Sequence, residues 1–283
     1  DSSDALGAAS GRGELEKAVH ETRKSIKRVR AALRLSRAAV ADEAYERDNA
    51  ALRAIAQPLS QARDARVLID TLSDLEQRFA RELPPAATER LHARLQDDRQ
   101  RALAQLTEDG DLAVATRQAL EDARARTARR ALDRQDFGAI APGLRRVYAR
   151  GRRRMRTARD EPSAEHLHDA RKRVKDLWHA AELLRAAHPK RMRRLARKAH
   201  DVSSLLGDHH DLSVLRDYAE ANPQLFSDMA SRDALLSVVD RRRDELARRA
   251  LKRGRRLYER PPKRFVKEVS RGWRKRVGDP SQV

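Results

Sequence analysis

Two short runs of this chain place a histidine ahead of three basic residues at identical intervals. His20, Arg23, Lys24 and Lys27 form the first, and His168, Arg171, Lys172 and Lys175 the second. At 100° per residue on a helix, His20, Arg23, Lys24, Lys27, Arg30 and Arg34 fall within about 120° of one another. From residue 20 to residue 34 the helix axis runs about 21 Å, at 1.5 Å per residue. A cationic rail of that length suits a linear polyanion better than a single phosphate. Arginine takes phosphate oxygens bidentately, and lysine acts as a point charge. Histidine donates to phosphate and gains a proton when a nearby anion raises its pKa. In the second run His179 extends the same face, but Glu182 stands where the last cation would be, so that rail is shorter.

Composition supports an anionic partner. With 63 Lys+Arg against 43 Asp+Glu, the 283-residue chain carries a formal charge of +20, which destabilises the compact state unless an anion offsets it. Aromatic residues make up 4%, too few for base-stacking platforms. Hydrophobic residues make up 40%, too many for a disordered chain. The absence of cysteine excludes disulfides, a thiolate zinc site and cysteine nucleophile chemistry, and it fits a reducing compartment. No apolar run approaches the roughly 20 residues of a membrane helix, so no membrane insertion is expected.

The elements that must position these residues are helical nearly throughout. Leu15, Val19, Ile26, Val29 and Leu33 form an apolar stripe beside the first rail. Helices are predicted at about 14–40, 44–81 with an interruption at Pro58, 86–107 and 112–132. Further helices are predicted at 144–159, 164–187 with Ser163 as N-cap, from Pro189 with a bend at Gly207, and from Asn222-Pro223 to about Tyr258. The expected organisation is a flexible segment at 1–13, a first bundle at 14–135, a second at 136–260 and a tail at 261–283. Phe265, Val269 and Trp273 are spaced by four in that tail, as for a short docked amphipathic helix. The fold class is all-α, with long helices in two pseudo-symmetric four-helix bundles.

An internal duplication underlies that pseudo-symmetry. His20 and His168 stand 148 positions apart, and Asp64 and Asp211, in matching Asp-x-x-Val-Leu runs, stand 147 apart. Two matches at nearly one offset favour a repeated unit over shared arginine-rich composition.

Rival chemistries find less support. Gly207-Asp208-His209-His210-Asp211 holds residue types that bind zinc or manganese, but neighbours on a helix diverge by 100° and do not converge on one ion. There is no P-loop, and no carboxylate cluster suggests a two-metal phosphohydrolase. Neither basic run looks like a helix-turn-helix reader. The expectation is a binding module, not an enzyme, with no metal and no cofactor. The segment Arg145 to Arg156 either contacts DNA non-specifically or widens the polyanion surface.

The repeated His-x-x-Arg-Lys-x-x-Lys, with Leu52-Arg53 to Leu68 and Leu205-Leu206 to Leu215 downstream, resembles the conserved histidine α-helical domain (CHAD) family over residues 14–260. That resemblance implies a basic surface binding inorganic polyphosphate, in the cytoplasm and associated with polyphosphate granules. It implies phosphate ligation by His20, Arg23, Lys24 and Lys27, and by His168, Arg171, Lys172 and Lys175. Arg53 and Arg63 match basic positions of the downstream motif, where the second copy carries His200 and His210. Asp64 and Asp211 are expected to orient neighbouring cations. The alternatives are a non-specific nucleic-acid-binding protein and a metal-dependent polyphosphate-processing enzyme. Histidines in place of arginines in the second half predict tighter binding below about pH 6.5.

Overall fold

The computed structural model describes residues 12–56, 61–83, 85–108, 137–186 and 188–277, with isolated positions between 109 and 136. Within its helices it leaves out the side chains of residues 12–20, 56, 61–64, 85, 105–108 and 275–277. The predicted interruption at Pro58, and nearly all of the helix expected at 112–132, lie outside the described residues.

Every long element is an α-helix, and no strand occurs among the described residues. In chain order they are α1 (Arg12–Leu35), α2 (Asp42–Ala56), α3 (Gln61–Arg78), α4 (Pro85–Glu108), α5 (Ala141–Asp160), α6 (Ala164–Leu183), α7 (Pro189–Ala221), α8 (Met229–Leu257) and α9 (Pro262–Val277). The boundaries follow local chemistry. Pro142 lies in the first turn of α5 and Pro189 opens α7, where a missing N–H costs nothing. Ser163 caps α6, its Oγ accepting from the His166 N–H at 3.1 Å. The eighth helix starts later than Pro223 suggests because Asp228 caps it, accepting from the Ser231 N–H at 2.7 Å. The seventh runs through Gly207 as one continuous helix of 33 residues.

Helices α5, α6, α7 and α8 pack successively, and α8 returns to α5 to close a four-helix bundle. Its core includes Leu144, Val174, Leu177, Leu206, Leu215, Leu235 and Val239, all essentially inaccessible to solvent. The first-half helices lie against this bundle: α1 on α5 and α6, α3 on α7, and α4 on α3 and α8. Leu72, Leu75, Leu91 and Leu95 thereby join the same core. A smaller cluster of Ile26, Leu33, Tyr45, Leu52 and Ile55 holds α1 to α2. Of the predicted α1 stripe, Ile26 and Leu33 are buried, Val29 is 40% exposed, and Leu15 and Val19 lie outside the described side chains. The tail docks as α9: Phe265 stacks on Tyr148 at 4.1 Å, and Trp273 meets Phe137 at 5.6 Å.

Candidate polyanion-binding site

The two basic runs occupy α1 and α6, which lie side by side. Each helix spends its apolar face on packing, through Ile26 and Leu33 in α1 and through Ala170, Val174 and Leu177 in α6. The cations are left on other faces. His20 and Arg63 have no described side chains. The backbone of His20 lies within α1, and that of Arg63 within α3.

The runs share a local device. Lys24 pairs with Glu21 at 3.2 Å, and Lys172 pairs with Asp169 at 3.3 Å, each across one helical turn. Each lysine is about half exposed, so the pairs contribute little to stability but fix where the ammonium sits. Further along α6, His168 and His210 meet with ring centroids 4.3 Å apart, and an Arg171 guanidinium nitrogen lies 3.9 Å from Asp211. Gly207 faces that arginine, and a Cβ there would stand 3.6 Å from it, an ordinary contact. His209 turns into the core while His210 joins His168, as the 100° step between neighbours requires. Among the described residues no group of three metal-ligating side chains is placed to hold an ion.

At the middle of the rail, His179 stacks on Trp178 at 4.7 Å, and His200 meets the edge of the same indole at 4.6 Å. Burial, and then the charges of Lys27, Lys175, Arg34 and Arg28, hold His179 down to about pKa 4. That electrostatic coupling ties cations of α1 to those of α6. Lys27 of the first run and Lys175 of the second act on one imidazole.

The far end of the first rail is different. Arg34 is ion-paired with Asp176 at 3.4 Å, and Asp176 also holds Arg173 at 2.9 Å. Arg30 donates to the Asn49 side chain at 3.3 Å, and burial, then Arg34 and Arg53, lower its pKa to about 10. Arg30, Arg34 and Arg53 therefore share one corner, with Asp176 as its acid. The predicted face held only the repeated cationic positions, so it missed Asp176 and Arg173, which together with Arg150 of the arginine-rich segment line the small cavity beside this corner. The signal was a break in the repeat, since Asp176 stands 148 positions after Arg28.

His168 is likewise held down to about pKa 4, by burial first and then by His210, Lys172 and Arg171. Both imidazoles are therefore neutral in the free protein until well below pH 6.5. The unfolded chain takes up these protons near pH 6.5 and the folded chain only near pH 4. The stability they contribute is full above pH 6.5 and is lost as pH falls toward 4. A bound polyanion favours the charged imidazoles, so affinity climbs with acidification and levels off near pH 4, lower than the sequence implies. Titration of polyphosphate between pH 4 and 7.5 checks this. Replacing His168 and His179 with asparagine flattens the climb, and an unchanged pH profile in that variant removes the histidines from the site.

The family model for the CHAD domain matches residues 4–220. A comparison with curated proteins gives no match.

Proposed function

The chain belongs to the CHAD family, and from that premise we propose that it binds long-chain inorganic polyphosphate without hydrolysing it. One observation carries the reading: the two helices that bear the basic runs, α1 and α6, lie side by side, with Arg34 of α1 ion-paired to Asp176 of α6 at 3.4 Å. The two basic runs then serve one groove, in which a single polyphosphate chain meets cations from both halves. In this reading the halves are duplicate units, and the ion pairs at Lys24, Lys172 and Arg171 preorganise their cations before the anion arrives. Binding is independent of any base sequence and weakens with salt, with log affinity falling by about 0.7 per log unit of salt for each phosphate neutralised, as for single-stranded nucleic acid. The protein would act in the cytoplasm, on polyphosphate granules. Among the described residues no helix is long and apolar enough to cross a membrane.

The test titrates long-chain polyphosphate and duplex DNA at matched phosphate and near-physiological salt. Alanine at Arg171, Lys172 and Lys175 together is expected to lower polyphosphate affinity at least roughly tenfold, as is the same change at Arg23, Lys24 and Lys27. Normal binding by both folded triple variants, or DNA binding as tight as polyphosphate binding, would overturn the reading. Phosphate release from polyphosphate on adding Mg²⁺ or Mn²⁺ would establish the enzymatic alternative.

A further inference from the structure

One large cavity among the described residues lies off the rail. It is a cleft of about 870 Å³ between α5 and α8. Two glycines create it. Gly151 lies under the Tyr258 ring, where a Cβ would come within 2.2 Å of the hydroxyl oxygen. Gly254 lies under Met155, where a Cβ would come within 2.4 Å of the sulfur. Without side chains at these two positions, α5 and α8 approach closely over a floor that includes Met155, Leu251 and Tyr258.

That approach brings two arginine rows together. Helix α5 supplies Arg152, Arg153, Arg156 and Arg159, and α8 supplies Arg255 and Arg256, with Lys198 reaching in from α7. Glu259 is the one acid among the lining residues. Arg152 donates to the Tyr258 carbonyl at 3.1 Å, and Arg159 pairs with Asp160 at 2.8 Å. Arg153, Arg156, Lys198, Arg255 and Arg256 make no ion pair among the described residues. The rail differs in this respect, since an acid accompanies Lys24, Arg34, Arg171 and Lys172. Like charges held together by close helix packing repel one another, and an anion in the cleft relieves that repulsion.

On the α5 helical wheel these arginines centre roughly 110° from Arg146 and Arg150, which line the corner cavity with residues of α1 and α6. The cleft and that corner cavity share no lining residue, so the cleft is a separate surface. Its size lies within the range of small-ligand sites, roughly 300–1,000 Å³. The row from Arg152 to Arg159 covers about 10 Å of helix axis, the reach of a few linked phosphates. A duplex repeats only every 34 Å or so, so DNA would engage the cleft with a small part of its backbone.

We propose that the cleft between α5 and α8 is a second anion site, distinct from the rail, that takes a short chain of linked phosphates such as tripolyphosphate or the triphosphate tail of a nucleotide. It stands independently of the rail reading, because none of its residues belongs to the two basic runs.

Calorimetric titration of tripolyphosphate, and separately of ATP, into the full chain at near-physiological salt tests it. Alanine at Arg153, Arg156, Arg255 and Arg256 together is expected to weaken both ligands at least roughly tenfold. The triple rail variant keeps this binding. The charge reversal Arg156→Glu, on an exposed side chain, serves as a second variant should the fourfold one fold poorly, and it is expected to weaken both ligands too. Unchanged tripolyphosphate binding in the folded cleft variants overturns the proposal. So does loss of all tripolyphosphate binding in the rail variant, which would leave the rail as the single site. Loss for ATP alone overturns the assignment to the phosphate chain. Displacement of tripolyphosphate by duplex DNA at equal phosphate overturns the ligand class. Failure of long-chain polyphosphate to bind the rail leaves the cleft result standing.

Discussion

Alanine at Asp176 is expected to lower the unfolding free energy by about 3 kcal/mol, the scale for breaking a largely buried ion pair from one side. Asp176 is 12% exposed and holds Arg34 of α1 and Arg173 of α6, themselves 21% and 23% exposed. Arg150 faces the same cavity, and burial together with neighbouring arginines already depresses its pKa. Removing the carboxylate leaves these guanidinium groups confronting one another in a site that solvent screens poorly. It also removes a polar tie between the two rail-bearing helices. Equilibrium urea denaturation measures the loss. Polyphosphate added to the variant is expected to restore part of it, because an anion that binds only the folded state stabilises it by mass action. A loss below about 1 kcal/mol would show that the corner tolerates its charge without Asp176.

The second large effect is steric. A Cβ at Gly143 would stand 2.1 Å from the Leu35 carbonyl oxygen and 2.7 Å from that of Arg34. Both are backbone atoms, so no rotamer change relieves the contact, and the start of α5 must move away from the end of α1. Overpacking of this kind costs about 1–3 kcal/mol or more, against a gain of about 1 kcal/mol from replacing glycine with alanine in a helix. The clash is shorter than side-chain movement can absorb, so the net effect of Gly143→Ala is a loss of about 2 kcal/mol, or a melting temperature lower by roughly 4–8 °C. Gly207→Ala provides the contrast. Its Cβ meets Arg171 at 3.6 Å, an ordinary contact, so helix propensity decides and stability rises by about 0.5–1 kcal/mol. Thermal melts of the two variants should move in opposite directions. Equal shifts would show that helix propensity alone governs both positions.

The all-α architecture was legible because its signals are local. Ser163, Pro189 and the apolar spacing of α1 and α9 each act within a turn or two of helix. The basic runs were legible for the same reason, as one helix face is a property of one segment. How α1 meets α5 was not, since it depends on Gly143 fitting against a carbonyl more than 100 positions earlier. The role of Asp176 was hidden likewise: a lone acid on a basic helix reads as surface until its partner on another helix is known. The α5 arginines were visible as a basic segment. Their division into a face toward α1 and a face toward α8 follows from two glycines whose effect is felt only across the helix contact.

The family match ends at residue 220, yet Leu235, Val238, Val239, Leu246 and Ala250 of α8 lie in the same core as Leu206 and Leu215. Phe265 of α9 stacks on Tyr148, and Glu268 accepts from Arg191 and Arg260, fastening the first turn of α7 to the chain beyond α8. The unit that evolution repeats across the family and the unit that folds here therefore have different edges. A transplant cut to the family boundary would carry both basic runs and leave behind the wall that keeps their scaffold dry. For modular engineering, the earliest sensible cut on this side falls after α9.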